Sequence, residues 1–419
     1  MKHFNDARDS YFERRFGLFI HWGIYAIPAW HEQIQWRKKI PRAEYVKLFD
    51  QFNPVNYDPD QWLDLAEEAG MEYVCFTTKH HDGFCLWDTA QTDYKVTNTQ
   101  YGKDCVRMLV DACERRNFPV GLYYSVSDWH QPNYPNQGRT HELAGPEPGD
   151  EPDLEKYLEF LRAQATELCT QYGKIACWWW DMNVTEHKDP AINNMIRELQ
   201  PDIIINNRGF DDGDFGTPER EWDGSVDEVR IFEEPTEGCQ AVGTESWGYK
   251  EDEDYYSLRF LRQSMAKYLA KGGNYLLNVG PMADGSICDI DQALLRQMGA
   301  WYKPLREAYD GTEPVSNLTD NHEVLLTRRD NTLYVHLFKP PSTERVLLRP
   351  IDIEPKSAVL LNTGEELDAR VDFLPSHHGW EKQDYLRLRK LPVDDMNDTV
   401  LVLKLEFEDG QLDQLKPVG

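Results

Sequence analysis

Short apolar runs alternate with amphipathic stretches along residues 16–309. The apolar runs predict strands at 16–21, 73–78, 120–124, 175–180, 203–206 and 274–279. Between them, apolar residues recur at helical spacing and predict helices at 42–49, 60–69, 104–116, 152–172, 190–199, 255–271 and 290–309. Such alternation predicts an α/β fold, and its length favours a (β/α)8-like barrel. A doubly wound nucleotide-binding sheet is disfavoured because no glycine motif for phosphate follows any strand.

The pattern changes after residue 314 to short runs of period two. They predict strands at 323–327, 332–338, 345–348, 357–361, 385–388 and 399–405. Turn signals separate them, for example Asp330-Asn331 and the prolines at 340 and 341. The sequence therefore predicts a barrel domain over residues 1–314 and an antiparallel β-sandwich over residues 315–419 that packs against it.

Charge and cysteine usage limit the classes of partner. The chain has 45 Lys plus Arg against 73 Asp plus Glu, a net charge of -28, which disfavours nucleic acid as a ligand. It contains no apolar stretch of membrane-spanning length, so no membrane partner is expected. Eight cysteines without a CxxC pair indicate buried free thiols, and with an N-terminal apolar run too short for a signal peptide they predict a cytoplasmic protein.

Polar residues recur where the predicted strands end. They are His21, the run 79–84 with His80 and His81, Tyr123 or Tyr124 with Ser125, Asp181, Arg208 and Asn278. Taken singly, His21 is equally well a core histidine and Asp181 a helix N-cap. The adjacent histidines, however, fit only an irregular strand end, and the ends of barrel strands share one face. Their coincidence predicts an active site there.

Asp181 has the surroundings of a catalytic nucleophile. Trp179 and Trp180 precede it and would exclude water, and Arg208 with the histidines would keep the carboxylate ionised.

Six segments resemble the retaining alpha-L-fucosidases, a glycosidase family with a catalytic barrel and a C-terminal β-sandwich. They are Phe-Gly-Leu-Phe-Ile-His-Trp-Gly at 16–23, Thr-Lys-His-His-Asp-Gly-Phe at 78–84, Tyr-Tyr-Ser at 123–125 with Asp-Trp at 128–129, Trp-Trp-Asp at 179–181, Ser-Trp-Gly-Tyr at 246–249 and Tyr-Leu-Leu-Asn-Val-Gly-Pro at 275–281. They follow one another in order over residues 16 to about 290.

The resemblance implies roles for individual residues. Asp181 would be the nucleophile, and the residues around the fucose would be His21, His80, His81, Tyr123 rather than Tyr124, Trp179 and Arg208. Trp247 or Tyr249 would provide an apolar wall for the C5 methyl group. Gln35-Trp36 stands where many members carry Glu-Trp, which places Trp36 at the sugar with a neutral neighbour.

The acid/base residue is expected in the irregular acidic region between Arg208 and Trp247. Glu237 is the first candidate, because it lies near the position of the glutamate in the family's Trp-Glu pattern and apolar neighbours would raise its pKa. Glu219 is the second, in a segment that also resembles the family. The other acids, Glu221, Glu233, Glu234 and Glu245, are expected to be solvated.

Bulky residues expected at one barrel mouth leave little room for a continuous polysaccharide cleft: His21, Trp22, His80, His81, Trp179 and Trp180. Together these features predict an exo-acting, retaining alpha-L-fucosidase that forms a covalent fucosyl-enzyme on fucosylated oligosaccharides or glycoconjugates, without metal or organic cofactor. Two alternatives remain. One is a metal-dependent barrel hydrolase with ligands His21, His80, His81, His130 and Asp181, and the other is a non-catalytic fucose-binding protein. The sequence leaves open the glycosidic linkage, the aglycone and the oligomeric state, a homo-oligomer included.

Overall fold

Seven parallel strands form the central sheet of the computed structural model, which describes residues 3–220, 229–373 and 384–418. They are β1 Phe16–Ile20, β2 Val74–Lys79, β3 Val120–Ser125, β4 Cys177–Asp181, β5 Ile204–Ile205, β6 Glu237–Ala241 and β7 Asn274–Val279. Their order is β5-β4-β3-β2-β1-β7-β6. Every predicted strand of this region is present.

Helices lie between these strands, and most have the capping residues that their sequences indicate. They are α1 Asp9–Glu13, α2 Ile34–Arg37, α3 Arg42–Tyr45, α4 Pro59–Ala69, α5 Cys105–Arg116, α6 Leu154–Gln171, α7 Pro190–Leu199, α8 Leu258–Ala270 and α9 Asp289–Tyr302. Asp58, Asp104 and Asp153 each cap a helix N-terminus by accepting a backbone N–H. The helix predicted at 290–309 ends earlier, since residues 303–308 form a 3₁₀ turn.

Across the residues that the structure describes, the curled sheet is not fully closed, and irregular backbone lies where a regular eighth strand was expected. Residues 215–220, the closing segment, lie between β5 and β6. Isolated parallel bridges join this segment to Asn206 on one side and to Thr236 and Cys239 on the other. Within the described ranges the regular sheet therefore has seven strands, one fewer than the (β/α)8-like expectation.

Strand β6 was not predicted from the sequence. Its residues, Glu-Gly-Cys-Gln-Ala, are all buried but show no apolar run. The glycine is required for packing, because a Cβ at Gly238 would lie 2.4 Å from the ring of Tyr268. The prediction that this stretch is an irregular loop is wrong.

The C-terminal region contains two antiparallel sheets with a common apolar core, as predicted. One sheet combines β8 Glu313–Pro314, β9 Leu325–Arg329, β10 Thr332–Leu337, β12 Ser357–Leu360, β13 Glu365–Glu366 and β16 Leu401–Glu406, and the other combines β11 Arg345–Leu348, β14 Asp368–Phe373 and β15 Asp384–Arg389. Leu333 and Leu403 of the first sheet belong to the same buried cluster as Leu386 of the second. Strand β8 lies just before residue 315, and the exact domain division stays a prediction.

The sandwich packs on the barrel through apolar and charged contacts. Val400 and Val402 belong to the large buried cluster of the barrel, and Lys404 pairs with Glu307 at 2.9 Å. All eight cysteines are free thiols, and all but Cys288 are buried. In the described part of the chain, no helix combines the length and apolarity needed to span a membrane.

Candidate active site

A pocket of about 650 Å³ opens at the carboxyl ends of the sheet strands, here called the mouth of the barrel. Nine of the predicted site residues line it: His21, His80, His81, Tyr123, Trp179, Asp181, Arg208, Glu219 and Trp247. Further lining residues that the sequence did not single out for this site are Phe19, His31, Glu32, Gln33, Arg37, His141, Met182, Thr217, Pro218, Arg220, Cys239 and Glu245.

Asp181 is the last residue of β4 and is 9% exposed. Its Oδ2 accepts a hydrogen bond from the Tyr123 hydroxyl at 2.7 Å, and its Oδ1 accepts one from Arg208 Nη1 at 3.2 Å. Burial alone would raise the pKa of Asp181, but the charge of Arg208, the nearby His81 and the Tyr123 hydrogen bond outweigh it and lower the pKa. Asp181 is therefore an ionised carboxylate in a largely dry site.

Arg208 holds two carboxylates at once. Its Nη1 also donates to Glu219 Oε2 at 3.0 Å. The rest of the guanidinium is fixed by Thr217, whose hydroxyl and carbonyl oxygens both accept at 2.7 Å. Burial would lower the pKa of Arg208, but the charges of Glu219 and Asp181 raise it, so the cation is permanent. Glu219 itself lies on the closing segment with a side chain that is 30% exposed.

The tautomers of His21 and His81 are fixed by the other hydrogen bonds that their partners, Asn278 and Ser125, make. Asn278 donates its amide to the Trp247 carbonyl at 2.7 Å, so its oxygen is left to accept from His21 Nδ1 at 2.6 Å. Ser125 donates its hydroxyl to the Ser127 carbonyl, and its oxygen therefore accepts from His81 Nδ1 at 2.7 Å. In the neutral ring, each histidine then has an unprotonated Nε2 as a hydrogen-bond acceptor.

The pocket histidines are neutral at ordinary pH. Burial lowers the pKa of His21 to about 4 and that of His81 to about 3, although carboxylates nearby oppose the shift. Burial and the charges of the other histidines place the pKa of His80 well below its usual range. As predicted, His80 and His81 follow an irregular strand end, since the register of β2 against β3 shifts after Thr77.

Aromatic rings form the walls of the pocket. The Trp179 ring lies 5.6 Å from Tyr123 and 5.2 Å from Phe19, and the Trp247 ring lies 5.3 Å from His21. Tyr124 instead points outward and bonds Gln164, which leaves Tyr123 as the tyrosine of the site. Tyr249 is absent from the pocket lining.

Two of the bulky residues expected at the mouth, Trp22 and Trp180, also lie outside the pocket lining. Trp36, expected at the sugar, is likewise not part of the lining. Its ring stacks on that of His141, a lining residue, with the ring centres 5.0 Å apart. Trp36 therefore contacts a residue of the pocket wall without belonging to the lining itself.

Glu32 is a site residue that the sequence interpretation missed. Its Oε2 accepts from Ser246 Oγ at 2.8 Å and from the backbone N–H groups of Trp247 and Gly248 at 2.9 and 3.2 Å. Its Oε1 is buried and has no partner among the described residues. A carboxylate is therefore present in the loop after β1, three positions before Gln35, and the expected neutral replacement is wrong. The available signal was an acidic residue between the apolar residues Trp30 and Ile34.

Glu237 lies at the opposite end of the barrel, and its predicted position in a loop above Asp181 is wrong. It begins β6 and is 0% exposed at the amino ends of the strands, here called the floor. Its carboxyl group accepts from Tyr11, Tyr73 and Trp179. Burial raises the pKa of Glu237 to about 7, as expected from its apolar neighbours, but the group is not part of the pocket lining.

Two alternative interpretations of the sequence, Asp181 as a helix N-cap and a metal site that includes His130, do not match the structure. The N-cap of helix α7 is Asp189, which accepts from Ala191 N, so Asp181 is not a capping residue. Of the ligands considered for a metal, His130 is absent from the pocket lining and stacks on Tyr94 at 4.0 Å. No group of three or more His, Cys, Asp or Glu residues suited to a metal ion occurs in ranges 3–220, 229–373 and 384–418.

Known proteins share both the sequence pattern and the fold. The family model described as Alpha-L-fucosidase matches residues 2–307. The tissue alpha-L-fucosidase of Bos taurus is 25% identical over 427 residues, which cover 88% of this chain and 82% of that protein. The alpha-L-fucosidase of Dictyostelium discoideum is 27% identical over 406 residues, with 86% and 84% covered.

Two solved structures extend the likeness to nearly the whole chain. Alpha-L-fucosidase isoenzyme 1 from Paenibacillus thiaminolyticus superposes with a TM-score of 0.81 at 32% identity, covering 96% of this chain and 100% of that one. A glycoside hydrolase family 29 alpha-L-fucosidase from Bacteroides thetaiotaomicron, trapped as a covalent intermediate with 2-fluoro-fucosyl fluoride, has a TM-score of 0.80 at 28% identity, with 97% of each chain covered. The chain belongs to the alpha-L-fucosidase family and is a glycoside hydrolase.

Proposed function

We propose that this chain removes terminal alpha-L-fucosyl groups from glycans with retention of configuration, using Asp181 and Glu219. The observation that carries the proposal is the single nitrogen Arg208 Nη1, which bonds one oxygen of each carboxylate at 3.2 and 3.0 Å. Those two oxygens cannot be farther apart than the sum of these distances. That limit on one pair of oxygens accommodates the about 5–5.5 Å between the carboxyl groups of retaining enzymes.

The first step is attack by an Asp181 oxygen on the anomeric carbon of the fucosyl group. Glu219, which must be protonated before this step, transfers that proton to the glycosidic oxygen as the bond to the aglycone breaks, and a fucosyl ester of Asp181 forms. In the second step Glu219, now a carboxylate, removes a proton from water, which attacks the same carbon. Fucose leaves and both carboxyl groups return to their initial states.

Differences in environment assign the two roles. Asp181 is nearly buried, and its lowered pKa suits a group that must be ionised before it attacks. Glu219 is more exposed and lies on the closing segment, which takes the place of an eighth barrel strand. From there it has access both to the leaving oxygen and to water.

The remaining pocket residues suit a small sugar with several hydroxyl groups. The Nε2 atoms of His21 and His81 and the unpartnered Glu32 Oε1 are acceptors for sugar O–H groups. Phe19 and Trp247 form an apolar wall suited to the C5 methyl group. Bulky side chains around the pocket leave space for a terminal sugar and favour exo-action on fucosylated oligosaccharides or glycoconjugates.

Glu219→Ala tests the proposed acid/base directly. The variant should lose several hundredfold in turnover on alkyl or sugar fucosides, which need a proton donor, and much less on activated aryl fucosides. Added azide should restore turnover and yield a fucosyl azide with the configuration of the substrate. Glu245→Ala is the matched control, since Glu245 also lines the pocket but pairs with Lys250 at 3.0 Å.

Several outcomes would reject the proposal. If Glu219→Ala keeps wild-type rates on poor leaving groups, Glu219 is not the donor. If NMR shows the opposite anomer as the first product, the reaction is inverting. If the wild-type chain binds fucose but releases no aglycone from any fucoside, the non-catalytic alternative is correct, and loss of activity with a chelator would favour the metal-dependent one.

A further inference from the structure

We propose that Glu237 is a positioning residue that orients Trp179 from the floor of the barrel and thereby holds Arg208 and Tyr123 on Asp181. This inference rests on the proposed function, because it concerns the environment of the proposed nucleophile. Glu237 touches no substrate position, and its effect passes through a single indole ring.

The floor site is fully enclosed, and the described side chains that donate hydrogen bonds to the Glu237 carboxyl group are all neutral. Its Oε2 accepts from the Tyr73 hydroxyl at 2.6 Å and from the Tyr11 hydroxyl at 2.7 Å. Its Oε1 accepts from Trp179 Nε1 at 3.3 Å. Because the two tyrosines already bond Oε2, Oε1 is the oxygen available to the indole.

Trp179 spans the distance between the floor and the mouth. Its N–H points down to Glu237, while the guanidinium carbon of Arg208 lies 4.7 Å from the centre of its ring. Its ring also stacks on Tyr123 at an interplanar angle of 20°. Within the described ranges, Arg208 and Tyr123 are the residues that donate hydrogen bonds to the Asp181 carboxylate.

A buried indole N–H needs an acceptor, and Glu237 is the acceptor that the floor provides. If an apolar side chain replaces Glu237, the Trp179 indole can regain a hydrogen-bond acceptor only by turning. Arg208 and Tyr123, which pack on the indole ring, then shift with it. Displacements below 1 Å at a catalytic group are sufficient to slow a reaction greatly. Loss of the Arg208 contact would also raise the pKa of Asp181.

The test compares Glu237→Leu with Glu237→Gln. The leucine variant should lose ten- to a hundredfold in kcat on an aryl fucoside with little change in KM. The acid limb of its kcat/KM profile should move to higher pH, because Asp181 loses stabilisation of its charge. The glutamine variant keeps an oxygen for the indole and should stay within about threefold of the wild type, with an unchanged acid limb.

Two further variants separate positioning from simple destabilisation. Tyr73→Phe removes a donor to Glu237 Oε2 without touching Trp179, so it should lower Tm but leave the acid limb in place. Trp179→Phe removes the same N–H from the other side and should shift the acid limb in the direction of Glu237→Leu. Combining Glu237→Leu with Trp179→Phe should add little to either alone.

The groups that face Asp181 in this comparison are Arg208, His81, Tyr123 and His141, and none of them is altered. An unchanged kcat and acid limb in a folded Glu237→Leu protein overturns the inference. If that variant does not fold, an unchanged acid limb in Trp179→Phe overturns it instead. A wild-type chain without fucosidase activity would reject the proposed function, which is a separate result.

Discussion

The mouth and the floor of the barrel each bury a carboxyl group, and the two differ in their neighbours. Asp181 at the mouth bonds a permanent cation, Arg208, and its pKa is lowered despite burial. At the floor, the described donors to the Glu237 carboxyl group are the neutral Tyr11, Tyr73 and Trp179, and burial raises the pKa of Glu237 to about 7. The charge state of a buried acid is thus decided by the presence of a cation more than by the depth of burial.

The same contrast separates two properties that sequence reasoning had combined in one residue. A raised pKa is expected of a proton donor, and Glu237 has it. Position is equally necessary, and in the part of the chain that the structure describes Glu219 is the carboxyl group that shares Arg208 with the proposed nucleophile. Perturbed titration alone therefore identifies candidates, and geometry chooses among them.

Asp181→Ala should have the largest effect. Loss of the nucleophile should lower turnover of an aryl fucoside by at least about 10³-fold, with Tm close to that of the wild type. The matched control is Asp189→Ala, which removes the true N-cap of α7 and should cost about 1 kcal/mol of stability with near-normal turnover. Near-normal turnover in Asp181→Ala would mean that the mouth is not the catalytic end.

Arg208→Gln should leave Asp181 at the mouth as a buried carboxyl group without a paired cation, as Glu237 is at the floor. Without the guanidinium, burial dominates at Asp181 and its pKa rises. We expect turnover to fall by about 10²–10³-fold. The acid limb of kcat/KM should also move upward from its wild-type position, because Arg208 lowers the pKa of Asp181 in the wild type. A pH–rate profile of both proteins measures the shift, and an unmoved acid limb would contradict the role given to Arg208.

Glu237→Gln should change the pH dependence of stability, while turnover stays within about threefold of the wild type. A carboxyl group whose pKa is raised from 4.5 to about 7 binds its proton more tightly in the folded state. The free energy of unfolding therefore falls as pH rises from 4.5 to 7. Above that range the buried, ionised carboxylate lowers the free energy of unfolding by an amount on the order of 3 kcal/mol.

Glutamine has no such dependence. Relative to the wild type, the variant should become more stable between pH 5 and pH 8, as measured by denaturant unfolding at both values. A difference that stays constant with pH would show that Glu237 does not titrate in this range.

Most of the mouth could be predicted from the sequence. Regular apolar runs marked β1 to β5 and β7, and the residues just after them were necessarily at one face. His21, His80, His81 and Asp181 were found for this reason. Trp22 and Trp180 were placed at the mouth incorrectly, because alternate residues of a strand point to opposite faces.

The floor could not be predicted, because its residues come from distant parts of the chain. Tyr11 and Glu237 are separated by 226 positions, and the strand that carries Glu237 has no apolar run. Glu32 was missed for a related reason. Besides the Ser246 hydroxyl, its partners are the backbone N–H groups of Trp247 and Gly248, which leave no pattern in the side-chain sequence.

The closing segment has a consequence for divergence among related enzymes. Asp181 ends a regular strand paired along its length with β3, so an insertion there would shift the register of a buried strand. Residues 215–220 are held only by isolated bridges, so insertions and deletions around them are tolerated more easily. If Asp181 and Glu219 act as proposed, a related enzyme can carry its proton donor at a different chain position while the nucleophile keeps its place.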